Sequence, residues 1–209
     1  MQELNVVRFG IVIEGHGEVE AVPLLIRRIG NEICGLPVQT TRPVRITKTS
    51  LVRPGGLERA IRLAQRNAGP LGPVVVMLDA DNDCPARLGP DLKARALPIA
   101  QGQHVAIVIP KMEFESWFLA PAGSLAGKRG LRPDLTAPQN PEEIRGAKEW
   151  LSRGMIRGRA YSPTVDQAPL AAGIDLVAAR VCHSFDRFVR EISRLLNPDS
   201  PGRAPAPPC

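Results

Sequence analysis

Two short runs of acids are the residues of this chain best suited to do chemistry. The first, Glu14-Gly15-His16-Gly17-Glu18, follows an apolar run ending at Ile13; the second, Asp79-Ala80-Asp81-Asn82-Asp83, follows one ending at Leu78. A third polar group, Lys111, Glu113 and Glu115, comes after the apolar run that ends at Ile109. Carboxylates gathered within a few ångströms cannot all stay ionised unaided, because each charge raises the pKa of its neighbours. A divalent cation with oxygen ligands relieves that repulsion. Mg²⁺ takes one or two carboxylates, keeps several waters and completes its shell with phosphate. Bound at such a site, Mg²⁺ or Mn²⁺ suits phosphodiester hydrolysis, stabilising charge on the non-bridging oxygens and lowering the pKa of a water. His16 is then a candidate contact to water or phosphate, with Gly15 and Gly17 turning the backbone tightly around it. Lys111 is a candidate catalytic point charge, or else an ion-pair partner of Glu113 or Glu115. Those two glutamates are two apart, so a helix would aim only one of them at the site.

The acids can meet only if the apolar runs are strands of one sheet. Val6 to Ile13, Val44 to Lys48, Val74 to Leu78 and Val105 to Ile109 read as strands. Helical spacing fills Glu18 to Ile33 and Gly56 to Ala68, and a proline-interrupted helix follows Cys84. A further helix begins in "MEFESWFLA". Strands alternating with helices predict an α/β fold with a mostly parallel sheet of about four strands flanked by helices. In such a sheet ligands bind beyond the carboxyl ends of the strands, where all three polar groups stand. The α/β core is expected over residues 1–120, a basic loop and helical extension over 121–196, and a disordered Pro-rich tail over 197–209. In the last helix Ser184 is the expected N-cap, with Phe185, Phe188, Val189, Ile192 and Leu196 on one apolar face.

Competing motifs fail on their own residues. Glu20 occupies the last glycine position of a dinucleotide-binding loop, no Gly-Lys-Ser/Thr is present, and an EF-hand starting at Asp79 would need glycine at Cys84 and glutamate at Pro90. The four cysteines contain no CxxC pair, which points to reduced thiols rather than structural zinc or a disulfide framework. No apolar run spans a bilayer and the first residues lack a signal-peptide pattern, so a cytoplasmic protein without a membrane partner is expected. The net charge of +6 favours a polyanionic partner. Arg59, Arg62 and Arg66, and again Arg187, Arg190 and Arg194, lie at helical spacing, and Lys128 and Arg129 sit in a Gly-rich loop suited to a phosphate backbone. With 4% aromatic residues, stacking platforms for bases are scarce.

A strand ending in Glu-Gly, an acid four residues after that glutamate, and a later strand ending in Asp-x-Asp resemble the Toprim domain of topoisomerases, primases, recombination-repair proteins and OLD-family nucleases. "IVIEGHGEVEAVPLLIRR", "MEFESWFLA" and "YSPTVDQAPLAAGIDL" with "SFDRFVREI" are similar to the Toprim-related bacterial proteins of domain-of-unknown-function family 4276. The resemblance implies a Toprim-like, Rossmann-like sheet in which Glu14 is the catalytic glutamate and Asp79 and Asp81 bind metal. Glu18 matches the second acid of nuclease-like members, and Asp83 extends the acidic motif as a further ligand. It also implies a nuclease acting on DNA or RNA in bacterial defence or repair. Tyr161, the only tyrosine, has no gate domain that would make it a topoisomerase nucleophile. Two other readings stand beside the nuclease. One is a non-catalytic metal- or nucleotide-binding partner of a separate ATPase. The other is a receiver-like phosphoacceptor built on Asp79 and Lys111, which lacks the paired acids expected after the first strand.

Overall fold

The computed structural model describes residues 6–100 and 102–197. At its centre lies a five-stranded parallel sheet of β1 (Val7–Ile13), β2 (Val38–Thr40), β3 (Val44–Arg45), β4 (Val74–Met77) and β5 (Val105–Val108). The order is β2-β1-β4-β5, and β3 joins the carboxyl end of β1, where Val12 faces Val44. Every residue from Phe9 to Ile13 and from Val74 to Met77 is buried. That is what a parallel sheet covered on both faces demands, and it explains why these strands read as unbroken apolar runs.

Strand alternation divides the side chains between two layers. Phe9, Ile11, Ile13, Val75 and Met77 pack with α1 (Glu18–Arg28), whereas Val12, Val74, Val76 and Ile107 pack away from it. The second layer is closed by the short α2 (Lys48–Val52), α3 (Gly56–Ala68) and α4 (Pro85–Ala100). The first layer is completed by α5 (Ser116–Leu119), α6 (Ala122–Leu125), α7 (Ala147–Arg153), α8 (Pro163–Gly173), α9 (Leu176–Ala179) and α10 (His183–Leu196). Its anchor is Trp117, fully buried, with ring centroids of Phe114, Phe185 and Phe188 at 5.0, 5.1 and 5.3 Å. Removing a buried aromatic of this kind costs about 3–5 kcal/mol.

Several elements differ from the sequence reading. The helix expected to Ile33 is α1 followed by a wider π turn over Ile29–Ile33. The strand expected over Val44 to Lys48 is only β3, because the Thr47 hydroxyl caps a new helix by accepting from the Ser50 amide, and Lys48 opens α2. β2 is hidden in the sequence between Pro37 and Pro43, where three residues give no pattern of their own. Ser184 is not an N-cap. It is buried, accepts from Trp117 Nε1 at 2.7 Å and hydrogen-bonds Glu142, whose carboxylate receives the His183 and Ser184 amides that open α10. A side chain 41 residues upstream of His183 thus satisfies the helix start. Phe185, Phe188, Val189, Ile192 and Leu196 are all buried, as their spacing predicts. Cys34 and Cys182 are free thiols, and no helix among the described residues is long and apolar enough to cross a membrane. Apart from Asn197, the expected tail lies outside the described residues, as does Cys209.

Candidate functional site

β2 and β3 follow β1 on one side of it, while β4 and β5 lie on the other, so the chain reverses its direction across the sheet between β1 and β4. Sheets of this type open a crevice at that point, beyond the carboxyl ends of the two strands. Here a cleft of about 390 Å³ is lined by Glu14 to Glu18, Asp79, Asp81, Glu115, Lys148, Pro163, Thr164 and Gln167.

One wall is open to solvent. Glu14 Oε1 accepts from the Lys48 amide at 3.1 Å. The Lys48 ammonium donates to the Ala80 carbonyl at 2.7 Å and to Asp81 Oδ2 at 2.9 Å, and pairs with Asp83 Oδ2 at 2.9 Å. Both aspartates are more than half exposed. Asp81 holds a left-handed backbone, φ 52°, and its amide donates to the carbonyl of Met112, itself at φ 63°. Aspartate tolerates that conformation better than most residues, and such strain gathers at functional positions.

The other wall is mostly buried: Glu18 and Glu115 are buried, and Asp79 and Lys148 are half-buried. Glu18 receives the Glu14 amide at 3.3 Å, and Asp79 Oδ1 receives the Phe114 amide at 2.8 Å. Glu115 is fully buried at the turn before α5; its Oε1 accepts from Gln167 Nε2 at 2.7 Å and Tyr161 OH at 3.1 Å. Its Oε2 has no hydrogen-bond partner among the described residues and lies 3.6 Å from the Lys148 ammonium. Burial pushes the Glu18 carboxyl up to about 7, and the nearby charges of Glu115 and Glu14 add to the effect. Burial, then the charges of Glu18 and Glu115, drive Asp79 well above the carboxylate range, and burial raises Glu115 too. Burial works against the Lys148 charge, yet Glu115, Glu113 and Asp79 outweigh it and hold its pKa above the ordinary lysine value. The repulsion expected of clustered acids is therefore concentrated on this wall.

The two glycines meet close neighbours, and neither has a positive φ. A Cβ on Gly17 would lie 2.5 Å from the Pro163 carbonyl oxygen, and one on Gly15 would lie 2.6 Å from Glu18 Oε1. Glycine here lets the loop approach α8 and the buried carboxylate. His16 is exposed at the rim. Asp83 reaches the site through Lys48, and Glu113 lies beside it, its Oε2 accepting from the Lys148 amide at 3.3 Å. Because Glu113 and Glu115 precede α5 in a turn, both approach Lys148, where a helix would have separated them. Lys111, Lys128 and Arg129 do not line the cleft, and the last two are exposed. The cations at the site are Lys48 and Lys148, neither singled out by the sequence. Tyr161, Thr164 and Gln167 lie in a stretch that carries the family resemblance, but nothing in it shows that they reach the cleft, since they come from a segment far along the chain.

A family model described as "domain of unknown function (DUF4276)" matches residues 13–193. The chain belongs to the DUF4276 family. The DUF4276 match begins at the last residue of β1 and ends within α10, so it takes in every residue lining the cleft. No curated protein and no solved structure matches the chain.

Proposed function

We propose that the cleft hydrolyses phosphodiester bonds of nucleic acid with the help of Mg²⁺ or Mn²⁺. The observation that carries this reading is the meeting of Glu14, Glu18, Asp79, Asp81 and Glu115 with one lysine in a single cleft at the strand ends. The donor set fits a hard cation, being entirely carboxylate oxygen. Among the described residues no three His, Cys, Asp or Glu side chains are already gathered around a common point. An ion here would hold one or two carboxylates and draw the rest of its shell from water and phosphate. Asp79 and Asp81 would hold it, Asp79 being oriented by the Phe114 amide, and Glu14, which accepts from the Lys48 amide, would reach it through one of its waters. When bound, the ion supplies charge stabilisation at the phosphoryl oxygens and a more acidic water.

The remaining roles belong to the chain. Glu18, with its carboxyl near neutrality, is matched to take a proton from the attacking water. Lys148 faces the cleft and counters charge developing on the phosphoryl group, as a point charge rather than a fork. Glu115 holds Lys148 in place and is itself clamped by Tyr161 and Gln167. To test the reading, plasmid, single-stranded DNA and RNA are incubated with protein in Mg²⁺, Mn²⁺ or EDTA. Cleavage that needs the ion and disappears in both Glu14→Gln and Asp79→Asn supports it; cleavage surviving both substitutions refutes it.

A second reading is favoured by Lys48. Its ammonium already sits among the Ala80 carbonyl, Asp81 and Asp83, neutralising part of the acidic set from within the chain. A regulatory partner of a separate ATPase, binding metal or nucleotide without cleaving, would be built this way. Ion binding without cleavage of any of the three substrates would select it.

A further inference from the structure

A second cavity, about 490 Å³, lies at the opposite end of β1 beside the edge strand β2. Its polar lining is Arg8, Arg27, Gln39, Thr40, Thr41 and Asn67. The two arginines approach β2 from opposite faces of the sheet. Phe9 points into the layer of α1, so its neighbour Arg8 points the other way, beside its register partner Gln39. Arg8 donates through Nε and Nη2 to Gln39 Oε1 at 3.2 and 3.0 Å. Arg27, near the end of α1, donates through Nη1 to Thr40 Oγ1 at 2.7 Å.

Charge is what sets this cavity apart. Neither guanidinium forms an ion pair among the described residues, a condition they share with most of the chain's described arginines; what distinguishes them is that both line one cavity. No acid lines the cavity. Neutral amide and hydroxyl oxygens hold Arg8 and Arg27 in place without cancelling their charge, and the bonds they make use only part of each five-donor fork. The Thr41 hydroxyl is shielded from solvent and has no partner among the described residues. A concave site lined by two arginine forks that neutral oxygens hold in place, with no acid among its lining residues, is matched to a tetrahedral oxyanion, which accepts several donors at once.

We propose that this cavity is a phosphate-binding site, separate from the acidic cleft. The phosphate is either a link of a nucleic-acid backbone or the end group of a small phosphorylated molecule. The site does not depend on the acidic cleft being catalytic. Arg8 and the residue after β1, Glu14, are six positions apart, so the two sites are separated by about 20 Å along the strand.

The test uses the full chain in EDTA, so that no ion-held phosphate in the acidic cleft contributes. Inorganic phosphate is titrated calorimetrically, and a labelled mononucleotide and a labelled ten-nucleotide strand by fluorescence anisotropy. Arg8→Gln and Arg27→Gln should each weaken phosphate binding by about tenfold, the scale of one charged hydrogen bond. Arg27→Lys, which keeps the charge and places less demand on folding, should recover part of the loss. A strand binding far more tightly than the mononucleotide, with affinity falling steeply in salt, identifies the backbone as the source. Equal affinities identify a small phosphorylated ligand. Absence of phosphate binding by the wild type, or affinities unchanged in folded Arg8→Gln and Arg27→Gln, would overturn the proposal.

Discussion

The two walls of the acidic cleft are built from the same parts and behave differently. Each has one lysine and a set of carboxylates: Lys48 with Glu14, Asp81 and Asp83, and Lys148 with Glu18, Asp79 and Glu115. On the first wall the Asp81 and Asp83 side chains are 54% and 59% exposed; on the second Glu115 is 1% exposed. Water can solvate the first set whatever Lys48 does. The second set has lost most of that solvent, so proton, lysine or metal ion must balance the charge. Composition alone therefore does not separate acids that water solvates from acids whose charge something else must balance. Burial does.

The sharpest way to break the comparison is to neutralise one acid on each wall. In the metal-dependent cleavage assay, Asp79→Asn should lower the rate a hundredfold or more, roughly the scale for losing one charge-stabilising group. Asp83→Asn should lower it by less than about tenfold, as expected of an exposed pair. Equal losses would mean that burial is not what distinguishes the walls.

Titration gives the next largest effect. In the folded chain Glu18 has its carboxyl raised from 4.5 to about 7, so the native state binds a proton more tightly than the unfolded chain. Its contribution to stability is full below about pH 4.5 and is lost as pH rises through about 7, an effect of up to about 3 kcal/mol. Denaturant melts of wild type against Glu18→Gln should show the wild type losing stability relative to the variant between pH 5 and pH 8. The comparison with the variant isolates this group from Glu32 and Glu58, whose arginine partners hold their pKa values low and give the opposite slope. A difference that does not change with pH would contradict the burial of Glu18.

Much of this arrangement was legible in the sequence because its parts are local. β1, β4 and β5 announce themselves as apolar runs, α3 matches its expected bounds of Gly56–Ala68, and Glu14, Asp79 and Asp81 stand where those strands stop. The buried wall was only half legible. Glu115 is visible as an acid, but its partners Lys148, Tyr161 and Gln167 arrive from more than thirty residues away and carry no local signal. Lys48 was hidden for a different reason: a threonine cap turned an expected strand end into a helix start. Arg8 and Arg27 were unremarked because charge compensation belongs to the tertiary structure, and only there does an arginine turn out to lack a carboxylate.

The lysines give the smallest contrast. Lys148→Met should cost about 2 kcal/mol near neutral pH, below the usual price of breaking a buried pair because Lys148 itself reaches solvent. Lys48→Met should cost under about 1 kcal/mol, since Asp81 and Asp83 remain hydrated. The Lys148→Met penalty should shrink as pH falls and Glu115 takes up its own proton, which its raised pKa permits. Thermal melts of both variants across pH 5 to 8 check the order.

The most direct test of the account is a Mn²⁺ titration followed by electron paramagnetic resonance, on wild type, Glu18→Gln, Asp79→Asn and Asp83→Asn. The account predicts that the wild type takes up the ion more tightly as pH rises through about 7, where Glu18 releases its proton. Asp79→Asn should weaken binding by at least about tenfold, Glu18→Gln should reduce the pH dependence without abolishing it because burial also holds a proton on Asp79, and Asp83→Asn should change little. Wild type without bound Mn²⁺ at millimolar concentration, or equal affinities in all four proteins, would contradict it.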